Sequence, residues 1–204
     1  MPDFAGGARR PPSPKTALRD RLLAQRKSLT PSARQAAAAA IHVTLLSLVR
    51  RMRPSTIAAY VPVGTEPGGP DLPSVLAATA RVLLPVLLPD GELDWAAYDG
   101  SLAASPRGLL EPPGPRLGVD AVRNATLVVV PALAVDRSGM RLGRGGGSYD
   151  RVLARLAPGV LTVALLNDGE LLDAVPAEKH DQPVRAVITP GGGLALSPGG
   201  EWTK

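Results

Sequence analysis

The sequence has 204 residues, of which 45% are hydrophobic, 20% are charged and only 3% are aromatic. Length and composition are typical of a soluble globular protein with one domain, or two small ones at most, and an aliphatic core. Cysteine is absent, which excludes disulfides, thiolate metal sites and thiol nucleophiles. We see no apolar run near the roughly 20 residues that span a bilayer, and no apolar signal-peptide core. We therefore expect a cytoplasmic protein with no membrane partner.

The net charge is +5, from 23 basic and 18 acidic residues. A basic chain can bind nucleic acid, a membrane surface or small anions. The basic residues are scattered, apart from short groups at Arg9–Arg10 and Arg50–Arg53, and few aromatic rings are available to stack on bases. We therefore expect no nucleic-acid partner and favour a small anionic ligand.

The N-terminal part predicts a disordered lead and then two helices. Residues 1–14 are rich in proline and glycine and form the lead, so residues 15–204 form a single domain. Leucines at helical spacing predict the first helix, with basic side chains on a neighbouring face. The residues concerned are Leu18, Leu22 and Leu29, and Lys15, Arg19 and Arg26. Thr30 and Pro31 are typical of a helix start and predict an alanine-rich helix to about Val49.

Beyond Pro54 the predicted strands and helices alternate. The predicted strands are Thr56–Val61, Arg81–Leu88, Leu93–Tyr98, Thr126–Val130, Val160–Leu166 and Val184–Thr189. The predicted helices are Leu72–Arg81, Ser148–Leu156 and Glu170–Val175, and residues 99–120 predict an irregular loop. Proline cannot donate to a sheet, so Pro85 should lie at an edge or a bulge. The alternation predicts an α/β fold with a mostly parallel sheet covered on both faces.

One loop between a buried strand and a helix carries the features of an anion site. It contains three consecutive glycines, Gly145–Gly147, whose bare backbone N–H groups could approach a phosphate closely. Arg141 and Arg144 lie on the same loop and could add charge-assisted contacts. Asp150 starts the helix and could hold a magnesium ion. No Walker or dinucleotide motif is present, so these residues alone leave two interpretations open, an anion-binding loop and a plain glycine turn.

The same segment resembles the signature of the 5-formyltetrahydrofolate cyclo-ligase family. That signature runs from a strand ending in Pro, through Asp and Gly, to Arg-Leu-Gly-Arg-Gly-x-Gly-Tyr-Tyr-Asp. Here it reads Pro131, Asp136, Gly139, then Arg141, Leu142, Gly143, Arg144, Gly145, Gly146, Gly147, Ser148, Tyr149 and Asp150. Ser148 stands where the family usually has Tyr, which bears on substrate affinity or identity. Ser148 would donate a hydrogen bond or cap the following helix.

Three other stretches resemble the family in the same order along the chain. Lys15 and Arg19 match a helix whose basic side chains meet the ATP phosphates. Val61 and Glu66 match a strand-to-loop segment that contacts the folate, and Asp181 matches a second magnesium carboxylate. Each has a simpler interpretation from the residues alone: a solvated helix face, a loop carboxylate, and an N-cap or Asx-turn.

The resemblance implies a fold and an activity. The fold would be a three-layer, Rossmann-like α/β domain, similar to the sugar-phosphate isomerase and CoA-transferase group. The activity would convert 5-formyltetrahydrofolate, with or without a polyglutamate tail, and ATP into 5,10-methenyltetrahydrofolate, ADP and phosphate, with Mg²⁺. The formyl oxygen would be phosphorylated and then displaced by N10. The protein would be a monomer or a small homo-oligomer.

The resemblance also assigns roles to residues. Lys15, Arg19 and Arg144 would be catalytic, and Asp150 and Asp181 would bind the metal. The ATP contacts would be Lys15, Arg19, Arg141, Leu142, Gly143, Arg144, Gly145, Gly146, Gly147, Ser148 and Tyr149. The folate contacts would be Arg19, Val61, Glu66, Arg144, Gly145, Gly146, Gly147 and Ser148. Two alternatives stay open: a relative that acts on another substrate, which the Ser148 change favours, and a non-catalytic protein that binds a nucleotide or folate.

Overall fold

The computed structural model describes residues 12–196, and four α-helices lie within that range. They are α1 (Pro14–Ser28), α2 (Pro31–Met52), α3 (Leu72–Ala77) and α4 (Ser148–Ala154). The predicted start of α2 is confirmed, because the Thr30 side chain accepts a hydrogen bond from the backbone N–H of Ala33. The predicted third helix is shorter than expected and ends at Ala77, since the chain from Arg81 onward is already a strand.

Twelve strands lie in the same described range. They are β1 (Thr56–Ala58), β2 (Arg81–Leu87), β3 (Leu93–Ala97), β4 (Ala103–Ala104), β5 (Leu110–Glu111), β6 (Leu127–Pro131), β7 (Ala134–Asp136), β8 (Arg141–Leu142), β9 (Leu161–Leu165), β10 (Leu171–Leu172), β11 (Ala186–Thr189) and β12 (Gly193–Leu196). A 3₁₀ helix, Val119–Asn124, precedes β6. Every predicted strand is present, each within a few residues of its predicted bounds.

The main sheet has the order β12-β11-β9-β6-β1-β2-β3 in the described part of the chain. Its five inner strands run parallel, and β3 and β12 are antiparallel to their neighbours. The predicted mostly parallel α/β sheet is therefore confirmed. A parallel sheet places the carboxyl ends of its strands at one edge, where loops such as those after β1 and β6 converge.

Both faces of the sheet are covered, as the alternation along β6 shows. Leu127 and Val129 face a cluster that includes residues of α2, whereas Val128 and Val130 face a cluster that includes residues of α4. The partners named here are Ile41 and Leu45 on α2, and Val152 and Leu153 on α4. Because β6 is buried on both sides, its sequence is a continuous run of apolar residues.

Pro85 lies on an inner strand, but at a position that resembles an edge. The Leu83 carbonyl accepts a hydrogen bond from Ala59, which lies at the end of β1. The backbone groups of successive β2 residues point alternately to the two neighbouring strands, so those of Pro85 point to the same side as those of Leu83. Pro85 lies beyond the end of β1, so no backbone N–H is needed there for a sheet hydrogen bond. The predicted edge or bulge is therefore replaced by the overhanging end of an inner strand.

The predicted helix at Glu170–Val175 is wrong. That segment contains β10, which joins β7 and β8 in a second sheet of three short strands within residues 12–196. The Asp136 carboxylate supports this sheet by accepting hydrogen bonds from Ser138, Met140 and Val175. The predicted loop at residues 99–120 likewise contains the β4–β5 hairpin.

Helix α1 packs on this small sheet through the buried Leu22. The cluster beneath it comprises Leu133, Ala134, Leu142 and Val175. Because the helix is held there, its N-terminal basic residues reach the edge where the loops converge. Helix α1 begins at Pro14, inside the predicted lead; residues 1–11 and 197–204 lie outside the described range, so disorder of the lead remains a prediction.

Helix α2 is longer and more apolar than the sequence interpretation allowed. Among the described residues it is the single helix that could cross a membrane by length and composition. Its inward side is buried against the main sheet through Ile41, Leu45, Leu48 and Val49. In the described structure α2 therefore packs as one layer of a folded domain.

Candidate active site

A cavity of about 560 Å³ opens at the edge of the main sheet where the strand-to-loop connections converge. All the residues predicted to bind ATP, folate or metal line it, although they come from four separate stretches of the chain. They are Lys15, Arg19, Val61, Glu66, Arg141, Leu142, Gly143, Arg144, Gly145, Gly146, Gly147, Ser148, Tyr149, Asp150 and Asp181. The fold thus brings together residues that are up to 166 positions apart.

The glycine loop, residues 143–147, separates β8 from α4. Gly145 and Gly147 have φ angles of 105° and 69°, which side-chain-bearing residues adopt at a cost. Arg19 lies against this loop, because its Nε donates to the Gly143 carbonyl at 2.9 Å. The loop is therefore shaped by glycine geometry and held to α1 by an arginine.

Arg141 is not an exposed loop arginine, because it belongs to β8 and its side chain is only 3% exposed. Its Nη2 donates to Oδ1 of Asp150 at 2.8 Å. Burial lowers the pKa of Arg141, and the Asp150 charge opposes that shift. The buried Nε has no hydrogen-bond partner among the described residues, so this donor of a cavity-lining residue is unsatisfied by the protein.

Arg144 and Glu66 form an ion pair across the cavity. Arg144 Nε lies 2.9 Å from Glu66 Oε1, and the other carboxylate oxygen accepts from the Val63 backbone N–H at 2.8 Å. The Arg144 side chain is 50% exposed, whereas that of Glu66 is only 9% exposed. Glu66 is thus fixed in its loop, and Arg144 is the more accessible partner.

Lys15 bridges two carboxylates at the start of α1. Its Nζ lies 2.6 Å from Asp181 Oδ2 and 3.3 Å from Glu178 Oε1. Burial on its own would raise the pKa of Asp181, but hydrogen bonds from Lys15 and from the Glu178 backbone outweigh it and lower that pKa. Asp181 is therefore held as a carboxylate beside a lysine.

Asp150 and Asp181 lie close to each other, since Asp150 Oδ1 accepts from the backbone N–H of Gln182. Within residues 12–196 no group of three or more His, Cys, Asp or Glu side chains forms a metal cluster. The hydrogen bonds in that range fall on Oδ1 of Asp150 and Oδ2 of Asp181. One oxygen of each carboxylate is left, which fits Mg²⁺, a cation held by one or two carboxylates plus phosphate and water.

Ser148 lines the cavity, but its hydroxyl points elsewhere. Its Oγ donates to the Gly91 carbonyl at 2.6 Å, so its single proton is engaged by the protein. Ser148 is also the first residue of α4, and the N-cap is Gly147, which makes no side-chain cap. The suggestion that Ser148 caps the helix is therefore wrong.

Tyr149 packs between the two halves of the core and is one of the residues that line the cavity. Burial, reinforced by the Glu66 charge, raises the pKa of this hydroxyl well above its ordinary value, so it stays protonated. In the described part of the chain the buried hydroxyl has no hydrogen-bond partner. It is therefore a donor that a ligand could satisfy.

Sequence reasoning missed Arg26, which also lines the cavity. Its guanidinium is buried, pairs with both oxygens of Glu170 at 2.7 Å and donates to the Ala132 carbonyl at 2.6 Å. The sequence contained a signal for Arg26, because Lys15, Arg19 and Arg26 are spaced so that they lie on one face of a helix. The ion pair fixes α1 to the segment between β9 and β10, and the bond to the Ala132 carbonyl fixes it to the segment after β6.

An apolar wall faces the charged side of the cavity and was also missed. It comes from β2, β3 and the β4–β5 hairpin, and comprises Pro85, Leu87, Leu93, Leu109 and Leu110. Such a wall next to cations and carboxylates suits a ligand pair in which one member is highly charged and the other carries a flat, apolar ring.

Comparisons with known proteins identify the family. The model of the 5-formyltetrahydrofolate cyclo-ligase family matches residues 12–190. The 5-formyltetrahydrofolate cyclo-ligase of Mycolicibacterium smegmatis is 44% identical over 190 residues, covering 90% of this chain and 97% of that protein. The enzyme of the same name from Escherichia coli K12 is 28% identical over 172 residues, covering 81% and 94%.

A solved structure shows the same fold. The 5,10-methenyltetrahydrofolate synthetase of Aquifex aeolicus superposes with a TM-score of 0.78 at 25% identity, covering 93% of this chain and 96% of that one. The predicted likeness to the sugar-phosphate isomerase group is not confirmed by these comparisons and stays a prediction. The chain belongs to the 5-formyltetrahydrofolate cyclo-ligase family, and it is an enzyme of that cyclo-ligase type.

Proposed function

We propose that the protein cyclises 5-formyltetrahydrofolate to 5,10-methenyltetrahydrofolate, using ATP and Mg²⁺ and releasing ADP and phosphate. One observation carries the proposal: residues from four distant stretches, each matching a family motif, line a single cavity. Scattered basic and acidic side chains on an ordinary surface would have no reason to converge in this way.

The charged side of the cavity would bind the nucleotide. Lys15, Arg19 and Arg144 would offset phosphate charge, and the backbone N–H groups of Gly145–Gly147 would cradle the transferred group. Asp150 and Asp181 would hold Mg²⁺ with the phosphates. When bound, Mg-ATP supplies a phosphoryl group that turns the formyl oxygen into a leaving group.

The apolar side would bind the folate. Leu87, Leu93 and Leu110 would pack against its ring system and keep water from the reacting carbon. Glu66, which is held by the Val63 N–H, would orient the ring by accepting a hydrogen bond from one of its N–H groups. The residues thus act by placing the formyl oxygen next to the phosphate and N10 next to the formyl carbon.

The proposal extends to the setting of the enzyme. The substrate would be accepted with or without a polyglutamate tail, and the protein would work in the cytoplasm as a monomer or small homo-oligomer. Nucleic acid and membranes would not be partners. The similarity to the bacterial cyclo-ligases described above supports the cytoplasmic location alone.

A direct assay tests the proposal. Purified protein is mixed with 5-formyltetrahydrofolate and Mg-ATP, and the absorbance of methenyltetrahydrofolate is followed. Product should form with Mg-ATP, and should be lost without ATP or with excess chelator. Absence of product at high concentration of folded protein would overturn the proposal.

A relative with another substrate is the second candidate. The observation favouring it is Ser148, which replaces a bulky ring in the cavity lining and donates to Gly91 instead. ATP hydrolysis stimulated by a different formylated compound, with no methenyltetrahydrofolate formed, would support that candidate. Mg-ATP binding without turnover of any such compound would indicate a non-catalytic binder.

A further inference from the structure

Two side chains of α4 donate to the same carbonyl oxygen on the β2–β3 turn. Ser148 Oγ and Arg151 Nη2 each lie 2.6 Å from the Gly91 oxygen. Arg151 Nε also lies 2.9 Å from Oε1 of Glu92, the next residue of the turn. One carbonyl and one carboxylate therefore hold the first turn of α4, which follows the glycine loop directly.

The turn is built to receive these donors. Gly91 has a φ of 82°, and a Cβ added there would lie 2.8 Å from Arg151 Nη2. Backbone bonds close the turn, since Leu88 N donates to Glu92 O at 2.9 Å and Gly91 N donates to Leu88 O at 3.1 Å. The turn is thus closed by its own hydrogen bonds, and the Gly91 carbonyl is a fixed acceptor for the two α4 side chains.

Arg151 also lies against the glycine loop itself. A Cβ added to Gly147 would be 3.3 Å from Arg151 Nη1, so the guanidinium is in contact range of the last loop residue. The Gly147 carbonyl in turn accepts from the backbone N–H groups of Asp150 and Arg151. Movement of the Arg151 side chain would therefore be transmitted to Gly147.

The other end of this connection is the apolar wall. The turn joins β2 to β3, and these strands carry Leu87 and Leu93 into the cavity lining. The contacts of Ser148 and Arg151 with Gly91 and Glu92 thus tie the glycine loop to the wall that faces it. We call this set of four residues the α4 clamp.

We propose that the α4 clamp positions the glycine loop for the phosphates of ATP, with Arg151 and Ser148 as positioning residues that do not touch the substrate. This inference rests on the proposed function, because it assumes that the loop binds ATP. It also gives Ser148 a role in this chain that a tyrosine could not fill in the same way. The serine hydroxyl is bonded directly to Cβ, whereas a tyrosine hydroxyl lies at the far end of its ring.

The chain offers a matched control for Arg151. Arg155 lies one turn further along and pairs with the same glutamate, with its Nη1 2.8 Å from Glu92 Oε2. Its other contacts are with Asp120 and with the Arg151 carbonyl, not with Gly91 or the glycine loop. Arg151→Met and Arg155→Met therefore remove the same charge from the same helix, but only the first breaks the clamp.

The test compares KM values for the two substrates. Arg151→Met should raise the KM for Mg-ATP by about 10- to 100-fold, the cost of a small misplacement of a binding group. The KM for 5-formyltetrahydrofolate should rise less, because Val61 and Glu66, two of the expected folate contacts, lie outside the loop. Arg155→Met should stay close to wild type in both. Arg151→Lys should restore part of the affinity, because an ammonium can reach one of the two acceptors. Equal KM values for Mg-ATP in Arg151→Met and Arg155→Met would overturn the proposal.

Two further readouts separate this proposal from the proposed function. Hydrogen exchange of the free protein should be faster in peptides covering residues 143–149 in Arg151→Met than in Arg155→Met, and equal rates would refute the clamp even if wild type makes no product. Titration with Mg-AMP-PNP should show the same ranking of affinities. If Arg151→Met fails to fold, Ser148→Ala and Ser148→Thr replace it: loss of affinity in Ala and retention in Thr support the clamp, and equal affinity refutes it.

Discussion

Arg144 Nε lies 2.9 Å from Glu66 Oε1, so the arginine expected to bind phosphate is paired with the carboxylate expected to contact folate. Each residue was predicted from a different motif, and neither motif indicates that they meet. Because Arg144 is half exposed and Glu66 is fixed by the Val63 N–H, the arginine is the partner that can exchange. A ligand that engages Arg144 therefore also frees Glu66.

Arg144→Ala should lower kcat/KM by about 10²- to 10³-fold, because under the proposed function it removes a charge-assisted donor to the transferred phosphate. Steady-state kinetics with both substrates would measure this. Arg137→Ala is the control, since Arg137 is an exposed arginine paired with Asp173 and is not among the residues lining the cavity. Unchanged turnover in Arg144→Ala would contradict the phosphate role.

Asp181 should make stability depend on pH. Its pKa is lowered in the folded protein, so its contribution is complete above the unfolded value of about 3.9 and is lost as pH falls through the lower folded value. Asp181→Asn should therefore be less stable than wild type near neutral pH, with the difference shrinking at acid pH. Urea unfolding across a pH series would show this, with the exposed Asp173→Asn as control. A difference that does not change with pH would argue against the Lys15 hydrogen bond.

Arg26→Met should reduce the free energy of unfolding by about 3–5 kcal/mol, because it leaves Glu170 buried without its cation. Arg26→Met combined with Glu170→Met should recover a large part of that loss. Arg123→Met, which breaks an exposed ion pair, should cost less than about 1 kcal/mol. Chemical denaturation measures all three, and a similar loss for Arg26→Met and Arg123→Met would contradict the buried pairing.

Tyr149→Phe should separate ligand binding from stability. The hydroxyl is buried without a partner in the described residues, so removing it should leave the free energy of unfolding unchanged or raise it. Affinity for Mg-ATP should fall by about tenfold, the loss expected for a hydrogen bond of about 1.4 kcal/mol. Tyr60→Phe is the comparison, since its hydroxyl donates to the Pro67 carbonyl at 2.6 Å and its loss should cost about 1 kcal/mol of stability. A destabilised Tyr149→Phe with normal affinities would refute this assignment.

The main sheet could be predicted because its strands carry strong signals. Leu127–Pro131 is a continuous apolar run, and the Thr30–Pro31 cap marks the start of α2. The second sheet could not, because β8 and β10 have two residues each and no periodicity can be seen over two positions. The predicted helix at Glu170–Val175 failed for that reason.

The identity of a site residue could be predicted where the residue is part of a sequence motif. Its burial and its hydrogen-bond partners could not be predicted in the same way. Arg141 follows the family signature, yet its burial in β8 and its pairing with Asp150 depend on a fold that the signature does not describe. Likewise, Ser148 was identified as a departure from the family, but its acceptor lies 57 positions away, on a Pro-Asp-Gly turn whose sequence does not indicate contact with Ser148. The sequence thus indicates which residues belong to the site. The contacts that each residue makes depend on the tertiary structure and become visible only there.

The cations and carboxylates of the cavity are paired with each other: Lys15 with Asp181, Arg141 with Asp150, and Arg144 with Glu66. Within these three pairs an entering ligand has to exchange partners, whereas Arg19 donates to the Gly143 carbonyl and has no carboxylate partner among the described residues. A free anion would bind the cations and leave the carboxylates without partners. A free divalent cation would bind the carboxylates and leave the cations without partners. Under the proposed function, a ligand that carries both signs at once would satisfy both halves of each pair, so these three pairs would favour a metal-phosphate complex over either component alone.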